Sequence, residues 1–422
     1  MLGFSTTAAV IAASCEMPVR KSIPYIWRPE EIVPGMANYY ASTFWQGGDY
    51  GAVLVKTREG RPIKIERREA KNSRITKGGT SARAQASVLS LYDGARFRNP
   101  KRGKENITWE TADKEIGDKL KTAATNGKVV LVSSTIISPS TKEVIADYSN
   151  SLGANKFEHL VYDGISYSGI LDANEKNFGK RLIPSYNFAN AKVIVGIGCD
   201  FLGTWLSPVE FAADYAVNRR VSAGKTDMSR HIHIESVPTM TGYKADTRIS
   251  VKPSDELAAL IDIYNVIVGG STAKNEKFGK AAKELQDAKG ASILVCGSND
   301  INAQLIANAI NNALGNYGTT ITWDRPYNTK QGSDKTITSL IDGLNSGSIK
   351  GVLFYECNPV FNSPVKGLAE ALKKADGAFA FANRLDETAV ATAEIFPDDH
   401  WLESWSDREP KAGIFDTTQA AI

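Results

Sequence analysis

Three kinds of side chain in this sequence are spaced so that they could do chemistry. Cys15, Cys199, Cys296 and Cys357 are its four cysteines. The last three each close an apolar run, in VIVGIGC, ILVC and LFYEC, and no pair has C-x-x-C spacing. Zinc or cluster ligation is therefore poorly supported, and buried reduced thiols near strand ends are expected. His231 and His233 lie two apart in HIHIE, so in a strand both imidazoles face one side. They could begin a metal site, but no third ligand is nearby in sequence, and a polar strand face is the plainer expectation. Asp398-Asp399-His400 with Glu403 offers carboxylates and an imidazole suited to general acid–base work. It follows Pro397 in an expected loop, where solvated charge is the simpler account. No G-x-S-x-G elbow and no nucleophile-and-base pattern occurs. These patterns assign no catalytic and no metal-binding residue.

Positioning such groups is the work of strands and helices. Ala52-Val-Leu-Val-Lys, a turn at Glu59-Gly60 and Pro62-Ile-Lys-Ile-Glu read as a hairpin, which gives 26–107 a small β-containing domain. From Thr108, which can cap a helix, the pattern changes. Apolar runs at Val129–Val132, Val193–Ile197, Ile232–Glu235, Ile293–Val295, Val352–Tyr355 and Ala378–Phe381 alternate with helical segments, the last of these runs being the final strand expected. One helix is expected over Ile301–Leu314. Another is expected to run through Lys374, with Ser363 as cap and Pro364 at its first position. Alternation of this kind predicts an α/β chain with doubly wound parallel sheets. A first α/β domain is expected over 108–268, a linker over 269–286, where GGSTAKNEKFGK is polar, and a second α/β domain over 287–422.

Doubly wound sheets bind ligands beyond the carboxyl ends of their strands. Here those ends carry Ser133-Ser-Thr, Gly198-Cys-Asp, Glu235-Ser, Cys296-Gly-Ser and Cys357-Asn-Pro. Asp200 and Glu235 could face a ribose, yet neither G-x-G-x-x-G nor G-x-x-x-x-G-K-[ST] is present, so the nucleotide signal is weak. Tight strand-to-helix turns need Gly and Ser in any case.

Hydrophobic content of 42% and charged content of 23% over 422 residues are those of a globular protein with room for several cores. Lys+Arg 50 against Asp+Glu 47 is too balanced for a surface that tracks nucleic-acid phosphates. The densest basic stretch, Arg96 to Lys104, reads as a solvated loop. MLGFSTTAAVIAASC over the first residues is apolar and small, like a lipoprotein leader that would be lipidated at Cys15, or the tail of a twin-arginine leader. Residues 1–25 are accordingly expected to act in export. This run is too short to span a bilayer.

Several segments together resemble one family. Tyr39 to Gln85 has the outline of the iron–sulfur domain that opens a molybdopterin oxidoreductase, in which cysteines stand at C-x2-C-x3-C with a fourth about thirty residues on. Those positions hold Phe44, Gly47, Gly51 and Ser81 here, and none supplies the thiolate that cluster iron needs. SVLSLYDGARFRNP, ITWETADKEI, VIVGIGCDFLGTW, TGYKADTRISVKP, YECNPVFNSP and IFPDDHWLESWSD follow in the family's order. The chain most resembles the molybdopterin-oxidoreductase-like, cofactor-less N-terminal region of the large iron–sulfur subunit of alternative complex III, a quinol:electron-acceptor oxidoreductase. That resemblance implies a non-catalytic scaffold without cofactor in this chain, and iron–sulfur clusters in a further C-terminal region. It implies a place on the periplasmic face of a bacterial inner membrane, beside a multihaem cytochrome c subunit and quinol-oxidising integral membrane subunits. An active molybdopterin-dependent oxidoreductase, or a nucleotide- or sugar-binding α/β protein, stands as the alternative.

Overall fold

The computed structural model describes residue 30 and residues 32–422, so the expectations for 1–25 and for Cys15 lie outside the described residues. Three antiparallel strands come first, Ala37–Gln46, Asp49–Arg58 and Arg61–Arg67, with the hairpin turn at Glu59-Gly60 as the sequence predicts. Phe44, Val53, Val55 and Ile65 turn inward against the helix Ala82–Leu91.

A seven-stranded sheet forms the first α/β layer. Its spatial order is Glu105–Asn106, Lys101–Arg102, Glu394–Phe396, Gly377–Phe381, Ile349–Tyr355, Lys128–Ser133 and Phe157–Val161. The run VVLV is apolar throughout because both faces of its strand are covered. Val129 and Leu131 pack under the helix Trp109–Asn126, while Val130 and Val132 meet the helix Thr336–Ser346 on the other side. Thr108 caps the first of these helices by accepting from the Thr111 amide, as expected.

The second layer is a four-stranded parallel sheet in the order Thr247–Ser250, Arg230–Glu235, Val193–Ile197 and Ser292–Cys296. Helices Pro253–Ile267, Glu276–Asp287 and Ile301–Ala313 cover one face. An aromatic core of Phe188, Phe201, Trp205 and Phe211 covers the other. A further four-stranded sheet orders Ile414–Thr418, Ser406–Lys411, Ile321–Tyr327 and Ile183–Tyr186. No helix among the described residues is long and apolar enough to cross a membrane.

The α/β class and its parallel sheets stand as read, but the sequential division at 268 and 287 does not. The seven-stranded sheet draws strands from both expected domains, and the second sheet closes with Ser292–Cys296 from the later one. The expected linker 269–286 holds most of the helix Glu276–Asp287, whose Phe278, Ala281, Ala282 and Leu285 are buried. Its polar composition is that of the helix's outer face, and the apolar positions recur at helical spacing. Ala378–Phe381 is not the last strand: Glu394–Phe396, Ser406–Lys411 and Ile414–Thr418 follow it. Ser363 ends the short helix Pro359–Asn362 rather than capping a longer one. The next helix, Leu368–Leu372, starts only after Gly367 at φ 96, a left-handed backbone that breaks helical continuity.

Candidate functional site

The four substituted positions meet at one end of the first hairpin. Phe44 pairs directly with Gly51 across the two strands, and Gly47 lies in the turn between them at φ 58. Ser81 joins them from the helix side, donating to Asp49 Oδ2 at 2.6 Å while accepting from the Ala84 amide as N-cap. The Phe44 ring is fully buried and meets the Trp401 ring edge-on at 5.6 Å. Burial pushes the Asp49 carboxyl up, against the Ser81 hydrogen bond and the Arg83 charge that pull it down. A Cβ on Gly51 would lie 3.9 Å from Phe44 Cβ and 4.0 Å from Ala84 Cβ, so side chains pack around this backbone. Oxygen, ring and bare backbone at these positions give no sulfur to bind iron.

Lys330 arrives at the same place from a distant loop, and nothing in its polar sequence context NTKQGSD marks it. It is 6% exposed, and its Nζ donates to the Gly47 carbonyl at 3.3 Å. Its end lies where a Cβ on Gly48 would be, and Gly48 stands at φ 89, a left-handed backbone that favours glycine. Desolvation pulls the Lys330 amine down, partly offset by the charge of Asp163. Asp163 is itself engaged, taking the Thr135 amide at 3.0 Å, the Thr135 hydroxyl at 2.7 Å and the Gly332 amide at 3.0 Å.

The candidate ribose-facing acids are committed to the fold. Asp200 accepts from the Thr241 hydroxyl at 2.7 Å and the Thr241 amide at 3.2 Å. Glu235 accepts from Thr239 Oγ1 at 2.7 Å and pairs with Arg248 Nε at 2.5 Å. The chain also closes on itself at this sheet's carboxyl edge: a Cβ on Gly297 would lie 1.9 Å from the Gly198 carbonyl oxygen. Cys199 and Cys296 are buried, as expected of reduced thiols at strand ends, and Cys357 is partly so. Burial pushes the Cys199 thiol up, and Cys296 up to about 11, which leaves both unreactive as nucleophiles.

His231 and His233 do face one side, but it is a buried side rather than a polar surface. Both are 0% exposed, with ring centroids 5.4 Å apart and Phe201 beside them. His231 Nδ1 meets the Tyr215 hydroxyl at 3.1 Å. Desolvation, reinforced by His233, lowers His231 to about 3, so the ring is neutral. Among the described residues, no group of three or more His, Cys, Asp or Glu is placed to hold a metal ion.

In the Asp398–Glu403 segment Asp399 and Glu403 are exposed, as solvated loop charge would be, but His400 is buried. His400 Nε2 reaches the Ser87 carbonyl at 3.2 Å and Ser90 Oγ at 2.9 Å, while Nδ1 accepts from the Leu402 amide at 3.3 Å. Glu403 takes Arg96 in a two-pronged pair at 3.1 Å and 2.5 Å. Arg96, from the basic stretch, thus belongs to this clamp.

The carboxyl ends of Lys128–Ser133 and Ile349–Tyr355, neighbours in the seven-stranded sheet, carry a further acid. Glu356, just past the second strand, holds φ 52, a left-handed backbone uncommon outside glycine. Burial pushes its carboxyl up to about 7, a push that its contact with water weakens; Arg408 pulls it down and Asp398 pushes it up. Asp398 is raised to about 6, chiefly by burial. The sequence marks Cys357-Asn-Pro at this strand end, and no pattern in it singles out Glu356 beside it.

No family model matches the chain. A curated relative, the menaquinone reductase, molybdopterin-binding-like subunit of Nitratidesulfovibrio vulgaris, is 22% identical over 90% of this chain. The chain spans 61% of that relative's length. Acetylene hydratase from Pelobacter acetylenicus superposes with a TM-score of 0.63 at 14% identity, over 91% of this chain and 66% of that one. A chain of the formyltransferase/hydrolase complex from Methylorubrum extorquens, solved with methylofuran, gives a TM-score of 0.52 at 10% identity, over 76% of this chain and 93% of that one. In sequence the chain is thus similar to a molybdopterin-binding-like subunit, and in fold it is similar to acetylene hydratase.

Proposed function

We propose that the chain is a non-catalytic scaffold in a membrane-bound respiratory quinone oxidoreductase, of the quinol:electron-acceptor kind that alternative complex III represents. The single observation that carries this reading is the hairpin end. Four positions that would need sulfur hold Phe44, Gly47, Gly51 and Ser81, and all four are built into packing and hydrogen bonds. The fold implies a pterin cofactor and a cluster, and the donor set does not fit a cluster. The engaged acids Asp200 and Glu235 likewise offer no free partner for a ribose.

The likeness to a menaquinone reductase subunit supports the respiratory setting. In this reading the chain's surfaces hold a multihaem cytochrome c subunit and quinol-oxidising membrane subunits in register, at the periplasmic face of a bacterial inner membrane. Electrons pass through iron–sulfur clusters borne by a further region of the subunit, and a lipid on Cys15 contributes to membrane attachment. Metal and pterin analysis of the purified 422-residue chain tests this directly. Iron, molybdenum and pterin are each expected well below one equivalent, and a stoichiometric amount of any of them would sink the proposal.

A further inference from the structure

The topological switch point of the seven-stranded sheet lies between Lys128–Ser133 and Ile349–Tyr355. From the first strand the chain proceeds outward to Phe157–Val161, and from the second it proceeds the other way to Gly377–Phe381 and Glu394–Phe396. Open α/β sheets take their ligands in the crevice beyond the strand ends at such a point, with anions at the amino end of the adjoining helix. In this chain a residue of its own occupies the helix start beside that point.

Asp407, on the strand Ser406–Lys411, lies at the amino end of the helix Pro139–Leu152, which follows Lys128–Ser133. Its carboxylate accepts from the Ser140 amide at 3.1 Å and from Ser140 Oγ at 2.6 Å, and it also takes the Ser138 hydroxyl. A free amide and two hydroxyls at a helix start are what a phosphate oxygen would receive. Against the burial that would raise it, hydrogen bonds from Ser138 and Ser140 hold the Asp407 carboxyl below its ordinary value. Arg408, the next residue, turns back on its own strand, its Nη1 donating to Ser406 Oγ at 2.5 Å and to the Asp407 carbonyl at 3.0 Å. The Glu409 amide donates to the Ile137 carbonyl at 2.7 Å, which fastens this strand to the loop beneath it.

We infer that Asp407 is an internal pseudo-ligand: through it the hairpin formed by Ser406–Lys411 and Ile414–Thr418 fills the helix start beside the switch point and excludes phosphate-bearing ligands. The inference deepens the scaffold reading and rests on it, since it supplies the means by which a nucleotide-binding fold stays empty. The plug is a conformational device as well as a seal. It ties the last strands of the chain to the first crossover of the sheet, so the helix start is spent on cohesion.

The test uses the full chain with inorganic pyrophosphate as probe, titrated calorimetrically into wild type, Asp407→Ser and Asp407→Asn near neutral pH. Wild type is expected to show no saturable binding. Asp407→Ser removes the competing charge and opens space at the helix start, and is expected to bind at least about tenfold more tightly than wild type. Asp407→Asn keeps a side chain of the same shape in place and is expected to stay silent. Wild type binding pyrophosphate as well as Asp407→Ser does would overturn the inference, as would a folded Asp407→Ser that ignores the probe. Should Asp407→Ser not fold, the wild-type Ser140 amide resonance gives the answer. It must shift on acidification as Asp407 takes a proton below the ordinary 3.8, and a resonance indifferent to that titration refutes the contact. A folded Asp407→Ser that stays silent sinks the plug alone, whereas pterin or molybdenum in the purified chain sinks the scaffold reading.

Discussion

Phe44 and His231 show how differently single residues were legible. A sequence shows at once that a phenyl ring cannot ligate iron, so the loss at Phe44 needed no coordinates. It does not show that the ring is fully enclosed against Trp401, because that partner lies far along the chain. For His231 the period of a strand placed both histidines on one side, as found, but their burial depended on Phe201 and Tyr215 closing over them. That enclosure has a measurable consequence. The folded state holds His231 neutral down to about 3, while the unfolded chain protonates it near 6.5. Between those values the unfolded state binds more protons, so the contribution is complete above pH 6.5 and is lost as pH falls toward 3. His231→Phe suits the surrounding rings and leaves the Tyr215 hydroxyl its bond to the Lys244 carbonyl. Urea unfolding across this range should show a shallower loss of stability in the variant, by at most about 1.4 kcal/mol per pH unit. An unchanged slope would mean that His231 does not carry the acid sensitivity.

At the scale of elements, strands and helices with strong periodicity were legible and connections were not. Apolar runs announced the parallel strands because a doubly covered strand is apolar on both faces. The helix Glu276–Asp287 was missed because its exposed polar and charged side chains, Gln286 and Asp287 among them, outnumber the Phe278, Ala281, Ala282 and Leu285 that it buries. His400 was misread for another reason: a loop can be polar in composition and still act as a brace between elements. Its ring ties the segment after Glu394–Phe396 to the helix Ala82–Leu91 through Ser87 and Ser90. The same helix starts at the substituted position Ser81, so the brace also steadies the hairpin end. His400→Ala should remove the acceptor of the Leu402 amide and the tie to Ser87 and Ser90, while the Ser87 carbonyl keeps the Ser90 hydroxyl, at a cost of about 1–3 kcal/mol. Hydrogen exchange should locate that cost, with faster exchange across Ala82–Leu91 and little change in Ile349–Tyr355. Uniform acceleration over both would show that His400 supports the whole fold and does not brace one helix.

For the whole molecule, the informative fact is that the chain leaves the seven-stranded sheet after Phe157–Val161 and returns to it at Ile349–Tyr355. Local patterns mark strands but not which sheet each joins, since parallel pairing unites residues far apart in sequence. A boundary drawn where composition turns polar therefore cut across both sheets. The excursion between those strands carries its own cores. One lies wholly between Val193 and Leu314, and the aromatic one wholly between Tyr167 and Tyr327. Both faces of the second sheet are thus covered by residues of the excursion itself, as an autonomous domain requires. A fragment of residues 165–328 is expected to fold alone. It loses the Lys411 partner of Glu210, whose carboxylate keeps the Tyr327 hydroxyl, and the Lys77 partner of the buried Asp214. A fragment of residues 108–268 should fail, because it lacks Ser292–Cys296 from one sheet and keeps only Lys128–Ser133 and Phe157–Val161 of the other. Circular dichroism with urea titration distinguishes the two: one cooperative transition for 165–328 and none for 108–268. The opposite pattern would return the domain boundary to 268. It would also mean that the cores on either side of the second sheet do not stabilise it without the seven-stranded layer.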